Sequence, residues 1–302
     1  MPPTPIYSPS HPPLPQRHGV APSYLWLPEG AWSDLIECLS DQFPDVSKAV
    51  WLDRLARNEV RDQHGAILRA DSPARRGMCI FYYREIANET VIPFSEVILY
   101  RDAHLLVVDK PHFLPVTPGG RFLHESLLVR LKRTLGIEQL SPIHRLDRET
   151  AGVMLFSLQA QTRGKYQVLF QEREVDKTYH ALAPSLTLDF PINYESRIVE
   201  SADFFVMQEV AGAPNSQTHI DLLENRGALS LYQLKPSTGR RHQLRVHLAS
   251  LGAPIVNDSF YPKAAAWNTD DFEKPLQLLA KSIAFIDPIE KKLREFHSEK
   301  SL

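Results

Sequence analysis

The sequence has little cysteine and no long apolar run. Cys38 and Cys79 are its only cysteines in 302 residues, and they are far apart without the close spacing of a zinc site. Neither a disulfide framework nor a cysteine-based metal centre is expected. No stretch approaches the roughly 18 apolar residues of a membrane span, and residues 1–22 lack the apolar core of a signal peptide. We therefore expect a cytoplasmic protein without a membrane partner.

The chain also lacks an excess of positive charge. It carries 34 Lys and Arg residues against 36 Asp and Glu residues, a formal net charge of −2. This balance argues weakly against a nucleic-acid partner, but binding depends on where basic residues cluster rather than on the total. Hydrophobic residues make up 43% and charged residues 23% of the chain, which is ordinary for a globular protein with a normal core.

Composition predicts three regions. Residues 1–22 hold eight of the 24 prolines and little hydrophobic pattern, so we expect a disordered, proline-rich tail with packing beginning near Tyr24. Residues 23–92 are expected to form a small N-terminal module, and residues 93–302 a larger domain.

The small module shows two helical patterns followed by strands. One helix is expected from Ala31 and a second after Ser47, which can cap it. A hairpin turning at His64-Gly65 and a strand over 79–83 follow. Two short helices before a small sheet resemble the alpha-L RNA-binding module. A purely structural cap is the alternative, and the pattern does not decide between them.

The sequence pattern of the larger domain predicts an α+β fold, with a mixed, mostly antiparallel central sheet flanked by helices. The order of elements is irregular and shows no βαβ repeat. The expected elements are a hairpin of strands 97–100 and 105–109, a helix over 124–135, strands 152–157 and 178–183 with a helix between them, a strand over 229–234, and a helix ending near Leu251.

Three segments contain the candidate functional residues. In the first, His144-Arg145-Leu146-Asp147-Arg148-Glu149-Thr150, the carboxylate of Asp147 lies between two arginines. Cationic neighbours favour the ionised form, and a carboxylate can act as a nucleophile. A solvated salt bridge on a loop is the alternative, and on this segment alone it is favoured.

The other two segments are Lys177-Thr178-Tyr179 and the stretch from Leu234 to His247. The latter carries four cations and two histidines without an acid between them, at a turn that leads into a helix. Such an element suits phosphate groups, although a solvated basic helix face is equally plausible. Tyr179 could stack on a base or simply pack in a strand.

Taken together, these segments resemble the RluA-type pseudouridine synthases. Residues 144–147 with Thr150 and Gly152 match the motif with the catalytic aspartate, and Lys177 with Tyr179 matches the motif with the base-stacking tyrosine. Residues 238–240 and 242–245 match the third motif, whose later arginine is Arg245. Further agreements are Asp109-Lys110-Pro111, Pro254-Ile255, Asp258 and Tyr261. Departures are Ala151 in place of the family's Ser, Asn257 in place of Gly, and Leu279 in place of His.

The resemblance implies an isomerase of uridine in ribosomal or transfer RNA that needs neither metal nor cofactor and acts on a flipped-out base. It assigns Asp147 as nucleophile at C1′ or C6, Arg245 as its partner, and Tyr179 as the stacking residue and a candidate base. We expect a monomer. The implied RNA-binding residues are Arg145, Arg148, Lys177, Lys235, Arg240, Arg241 and His242.

Two other functions are compatible with parts of this pattern. A non-catalytic RNA-binding or ribosome assembly protein could use the same scaffold, but Asp147, Tyr179 and Arg245 are all present. A glycoside hydrolase also attacks an anomeric carbon with a carboxylate. Such enzymes generally need two carboxylates about 5–10 Å apart, and Glu149 is the only second candidate near Asp147.

Overall fold

Apolar residues recur with helical or strand spacing along most of the chain, and the secondary structure follows them. A computed structural model describes residues 7–9, 11–203, 205–263 and 270–302. The helices are α1 (Leu35–Gln42), α2 (Lys48–Ala56), α3 (Leu127–Leu135), α4 (Ala160–Gln171) and α5 (Gln243–Ser250).

The described strands form two sheets, and the strands that the sequence predicts at 79–83, 97–100, 105–109, 152–157, 178–183 and 229–234 are among them. They are β1 (Ser23–Trp26), β2 (Val60–Asp62), β3 (Cys79–Tyr82), β4 (Val97–Arg101), β5 (Leu105–Lys110), β6 (Ser141–Pro142), β7 (Ala151–Ser157), β8 (Val175–Pro184), β9 (Ile192–Glu200), β10 (Met207–Val210), β11 (Ser216–Arg226), β12 (Leu229–Pro236), β13 (Leu278–Ile286) and β14 (Leu293–His297).

The chain divides into two compact units. Unit 1 contains residues 1–89 and 118–124, and unit 2 contains residues 90–117 and 125–302. The return of 118–124 to unit 1 was not expected from the sequence. Within unit 1, the Glu89 carboxylate accepts hydrogen bonds from the backbone N–H groups of Leu123 and His124, which fastens that segment.

Unit 1 is a three-stranded antiparallel sheet, in the order β1-β3-β2, packed against two helices. Its core gathers Trp51, which is fully buried, with leucines of α1 and the β3 residue Ile80. The first helix begins at Leu35 rather than at Ala31, because the Asp34 side chain caps it by accepting from the Glu37 N–H at 2.9 Å. Ser47 caps α2 as predicted.

The proline-rich segment before β1 packs against the rest of unit 1 well ahead of Tyr24, and the Tyr7 N–H already donates to the Gln63 carbonyl at 2.7 Å. Leu14 is 5% exposed and lies against Cys79, Phe81 and Tyr83. The Tyr83 hydroxyl donates to a backbone carbonyl of the segment at 2.8 Å, and the Arg17 guanidinium lies 3.7 Å from the centre of the Tyr83 ring. The expected disorder over residues 1–22 therefore does not hold for residues 14–22, because one apolar side chain and one arginine suffice to anchor them. Residues 1–6 and 10 lie outside the described residues.

The helices of unit 1 present acidic side chains to solvent. The exposed acidic residues of α1, α2 and the turn between them are Glu37, Asp41, Asp45 and Asp53. Arg54 is buried, and Arg57 is bound by Asp53, Glu59 and Glu85. An acidic helix face repels phosphate, so the structure does not confirm the likeness to an alpha-L RNA-binding module.

Unit 2 is built on a large mixed sheet, and its α+β class agrees with the prediction. The strand order is β10-β9-β11-β12-β8-β13-β7-β5-β4, with β14 beside β13 and β6 beside β7. Every pairing is antiparallel except that of β13 with β7. Helix α4 buries Tyr166 and Leu169 in one apolar cluster, and α5 buries Leu244 and Leu248 in another.

The parallel contact between β7 and β13 depends on a glycine. Gly152 has a φ of +114°, and a Cβ there would overlap the backbone of Ala280, its partner on β13. Only glycine combines this dihedral angle with so close an approach of two strands. Since Gly152 follows directly on the Asp147 loop, the same close contact determines where that loop leaves the sheet.

We predict that Gly152→Ala destabilises unit 2 by about 2–5 kcal/mol, because the methyl group adds both backbone strain and overpacking. Urea denaturation followed by circular dichroism measures the loss. The matched control is Gly164→Ala in α4, where a Cβ meets open space and alanine gains up to about 1 kcal/mol of helix propensity. Equal effects of the two substitutions would contradict the close contact.

Candidate active site

Asp147 lies in the loop between β6 and β7, in unit 2. The Thr150 N–H donates to the Asp147 carbonyl at 3.2 Å, which closes a turn around the residue. The Asp147 side chain is 29% exposed. It is therefore open enough to meet a large substrate and enclosed enough to be aimed by its neighbours.

Lys110, the last residue of β5, and His112, two residues later, hold the backbone of this loop. The buried Lys110 ammonium donates to the carbonyls of Pro111, Leu114 and Arg148 at 2.8–3.0 Å, which uses all three of its N–H bonds. His112 Nδ1 donates to the Glu149 carbonyl at 2.7 Å. Burial lowers the pKa of His112 to about 4, so its ring is neutral and acts as a fixed donor.

Lys110 is a cation held inside the protein beside two acids. Burial lowers its pKa to about 7, while the carboxylates of Glu149 and Asp147 act in the opposite direction. Asp109, the preceding residue, is also buried. The Ser298 hydroxyl donates one hydrogen bond shared between the two carboxylate oxygens of Asp109, and the Glu299 N–H donates another. The Asp-Lys-Pro agreement found in the sequence is thus structural support for the loop.

Arg245 on α5 faces Asp147, as the third motif predicts. Its Nη1 lies 3.5 Å from Asp147 Oδ2 and 3.8 Å from Glu149 Oε2. Its side chain is 1% exposed. Burial alone would disfavour the charged guanidinium, but the hydrogen bonds and charge of Asp258, with the charges of Asp147 and Glu149, outweigh it and raise the pKa of Arg245.

Asp258 is the strongest partner of Arg245, and sequence reasoning did not assign it this role. Arg245 donates from Nε to Asp258 Oδ2 at 2.8 Å and from Nη2 to Oδ1 at 2.6 Å, a two-pronged pair with no solvent exposure on the aspartate. Such pairs are strong and geometrically specific. Asp258 also accepts from the N–H groups of Phe260 and Tyr261. The only sequence signal was its agreement with the family pattern.

Arg148 is bound inside the protein, contrary to its predicted role in RNA binding. Its guanidinium donates to Asp270 Oδ1 at 2.8 Å and to Glu149 Oε1 at 3.0 Å, and the side chain is 12% exposed. A guanidinium held by two carboxylates is a poor phosphate contact because its charge is already balanced. The sequence could not reveal this, since Asp270 is remote along the chain.

His242 forms a wall of the site. It has a left-handed φ of 54° at the start of α5. Its ring stacks on Phe260 at 5.6 Å between centroids, its Nδ1 lies 2.9 Å from the Tyr261 hydroxyl, and its Nε2 lies 3.9 Å from Asp147 Oδ2. Burial lowers the pKa of His242 although Asp147 opposes this. The structure places His242 beside Asp147 rather than on the outer surface where a phosphate would bind.

Tyr179 on β8 is partly buried and packs against the cluster that includes Leu244 and Leu248. Burial, together with the charge of Asp147, raises the pKa of Tyr179. The phenol is therefore neutral at pH 7, and no phenolate base is preformed. A neutral ring near the carboxylate suits stacking on a uracil.

The turn before α5 is held by a polar network. The Gln243 side chain accepts from the Thr238 hydroxyl at 2.7 Å and from the Arg240 N–H at 3.0 Å, and it donates to the Gln217 carbonyl at 2.9 Å. Lys177 Nζ donates to the Thr238 carbonyl at 3.3 Å. Lys177, predicted to bind RNA, therefore braces this turn. It lies partly buried, and burial lowers its pKa.

Of the predicted RNA contacts, Arg145, Lys235 and Arg240 are exposed. Arg240 donates from Nε to the Asn215 carbonyl at 3.1 Å, which orients the side chain without balancing its charge. Arg241 is less available, because it donates to the Phe205 carbonyl at 2.9 Å. In the described part of the site, exposed cations thus form a basic rim. The buried arginines Arg148 and Arg245 are paired with carboxylates.

The two other histidines of the motifs are structural. His144 Nε2 accepts from the Leu155 N–H at 3.1 Å, and its ring stacks on Phe170. His247 is fully buried among the hydroxyl groups of Ser196, Ser216 and Thr218. Burial lowers the pKa of His144 to about 3 and that of His247 to about 4, so both rings are neutral.

Within the described ranges, no group of three or more His, Cys, Asp or Glu side chains is arranged to hold a metal ion. Likewise, none of the helices in that part of the chain is both long enough and apolar enough to cross a membrane.

Comparison with known proteins identifies this arrangement. The family model described as RNA pseudouridylate synthase matches residues 104–250. The dual-specificity RNA pseudouridine synthase RluA of Haemophilus ducreyi is 31% identical over 220 residues, which cover 68% of this chain and 94% of that protein. Pseudouridylate synthase RPUSD2 of Mus musculus is 34% identical over 223 residues, 72% of this chain but 39% of that protein. The chain therefore spans less than half of the mouse protein.

A solved structure agrees with the sequence relatives. Human RNA Pseudouridylate Synthase Domain Containing 1 superposes with a TM-score of 0.57 at 25% identity, over 68% of this chain and 84% of that chain. The three motifs meet at one site on a sheet of the same fold as that human protein. The chain belongs to the RNA pseudouridine synthase family and is an RluA-type member.

Proposed function

We propose that this protein isomerises uridine in ribosomal or transfer RNA with the Asp147 carboxylate as nucleophile. The observation that carries the proposal is the pairing of a partly exposed carboxylate with a buried guanidinium. Arg245 is fixed by Asp258 on one side and directs Nη1 to Asp147 at 3.5 Å on the other. A nucleophile aimed by a rigid partner is suited to covalent catalysis.

The other residues support a reaction on an extruded base. A uridine in folded RNA is stacked and must be flipped out at a cost of a few kcal/mol. We propose that exposed Arg145 fills the space that the base vacates and that Tyr179 stacks on the uracil. Lys235 and Arg240 would bind phosphates at the rim.

Bond changes follow from these roles. The N1–C1′ bond breaks, the uracil turns, and a C5–C1′ bond forms. The bond from the carboxylate to C1′ or C6 is released, the C5 proton leaves, and N1 takes up a proton from solvent, so the product is an isomer of uridine. Asp147 attacks either C1′ or C6, and both routes use the same carboxylate and the same Arg245. Because the Tyr179 phenol is neutral, we assign it to stacking first and leave its role as proton acceptor as an alternative.

The glycoside hydrolase alternative is disfavoured by Glu149. That reaction needs a second carboxyl group free to donate or accept a proton. Glu149 is 9% exposed and is held by Arg148 at 2.9 Å and Arg245 at 3.8 Å. Each of its oxygens faces an arginine nitrogen, so the carboxylate is not free to act as the second catalytic group.

We predict that Asp147→Asn lowers kcat by at least roughly 1,000-fold and changes RNA affinity by less than about threefold. Asparagine keeps the size of the side chain but cannot attack as an anion. Because Asp147 is partly exposed, the stability loss should stay under about 1 kcal/mol. Tritium release from RNA labelled at C5 of uridine measures turnover, and a gel shift measures binding.

The control is Asp176→Asn, which removes an exposed carboxylate of β8 and should leave turnover unchanged. Tritium release by Asp147→Asn at a rate near that of the wild type would place the nucleophile elsewhere.

We predict a different profile for Arg245→Lys. Lysine keeps the charge but cannot form the two-pronged pair with Asp258 while reaching Asp147. Because Asp147 is then less precisely positioned, kcat should fall by about 100-fold. Imperfect pairing of the buried Asp258 carboxylate should cost roughly 1–3 kcal/mol of stability. RNA affinity should change by less than about threefold, because Arg245 is buried.

The control is Arg226→Lys, a surface residue paired with Glu224, which should alter neither quantity. If Arg245→Lys weakens RNA binding as much as it slows turnover, Arg245 is a phosphate contact and the proposed role is wrong.

A further inference from the structure

The hairpin between β9 and β10 displays an aromatic residue that none of the motifs contains. Phe205 is 47% exposed and has a φ of 67°. A bulky residue in the left-handed region is strained, and such strain persists only where neighbours enforce it. Asparagine or glycine would occupy this position at lower cost. The presence of phenylalanine therefore requires an explanation beyond the turn itself.

Arg241 enforces the position of Phe205. Its guanidinium lies 4.5 Å from the centre of the phenyl ring and donates from Nη2 to the Phe205 carbonyl at 2.9 Å. One arginine thus fixes both the ring and the backbone of the same residue. Such an aromatic ring with a stacked guanidinium is flat, positively charged and preorganised.

The pair is coupled to the active site through short contacts. The residues that follow Phe205, Val206 and Met207, pack in a cluster with Phe260 and Tyr261. The Met207 N–H donates to the Tyr261 hydroxyl at 2.9 Å, and the same hydroxyl lies 2.9 Å from His242 Nδ1.

Arg241 is coupled to the active site as directly as Phe205 is. Arg241 immediately precedes His242, whose Nε2 lies 3.9 Å from Asp147 Oδ2. Both members of the pair are thus anchored to the wall beside Asp147.

These features fit an RNA base better than a phosphate or a protein partner. When a uridine leaves the stack, its neighbours lose a stacking face. RNA-binding proteins compensate with aromatic rings and arginine planes. A phosphate contact would not need the ring, and exposed Arg240, the neighbour of Arg241 in the chain, already provides positive charge.

Resting on the proposed function, we propose that Phe205, held by Arg241, is a stacking platform for a base that neighbours the target uridine. Phe205 is then a substrate-positioning residue of this chain. Its contribution belongs to RNA binding and not to the chemical step.

The test compares Phe205→Asn with Phe205→Trp. Asparagine tolerates the left-handed backbone and removes the ring, whereas tryptophan retains a stacking surface. Two fluorescent probes are used: decauridylate and a ribose-phosphate oligomer of the same length without bases. Fluorescence anisotropy gives the dissociation constants, and tritium release from C5-labelled transfer RNA and ribosomal RNA gives kcat and KM.

Phe205→Asn should weaken decauridylate binding by roughly 5- to 150-fold, the range for one stacked base, and raise KM in the same direction. Binding of the oligomer without bases and kcat should each stay within twofold. Phe205→Trp should retain binding within about threefold of the wild type. Equal losses on both probes, unchanged binding of decauridylate, or a fall in kcat alone would each overturn the platform.

The two proposals fail separately. If the wild-type protein releases tritium from neither RNA, the proposed function is refuted. The anisotropy comparison depends only on binding. A wild-type enzyme that is active, with a Phe205→Asn variant that binds decauridylate normally, refutes the platform alone.

Discussion

A buried arginine surrounded by three carboxylates organises the site. Arg245 is desolvated, and an isolated charge in that position would be costly. Asp258 accepts hydrogen bonds from Nε and Nη2 of Arg245, while Asp147 and Glu149 face Nη1. Because the pair with Asp258 is rigid, the remaining nitrogen has a fixed direction. The aim of Asp147 thus depends on a residue that never meets the substrate.

The loop that carries Asp147 is held from the opposite side by its own carbonyl groups. Lys110 and His112 donate to the carbonyls of Arg148 and Glu149, so the backbone has little freedom just after Asp147, the proposed nucleophile. Gly152 then permits the close contact of two parallel strands. Support from both ends preorganises a reactive group on a loop, which is otherwise the least rigid part of a fold.

The basic residues of the motifs divide into two groups with different roles. Arg145, Lys235 and Arg240 are exposed and can meet phosphates. Arg148, Lys177, Arg241 and His242 are held by protein atoms, and they shape the loop, the turn before α5 and the wall beside Asp147. Positive charge in this family pattern therefore serves internal architecture as much as RNA binding. A net charge of −2 is compatible with an RNA substrate because binding depends on the exposed cations rather than on the total charge.

The sequence by itself determined the α+β class and five of the eleven described strands of unit 2, because periodicity is encoded in neighbouring residues. Its motifs also singled out Asp147, Tyr179 and Arg245 as candidate site residues. Only the tertiary structure decided which charges are balanced: Asp258 and Asp270 lie far along the chain from the loop residues that they hold in place. It also decided that Leu14 is buried. A proline-rich composition does not reveal that one leucine packs against Cys79, Phe81 and Tyr83. Long-range pairing of single side chains leaves no periodic signal, and for that reason it emerged only from the fold.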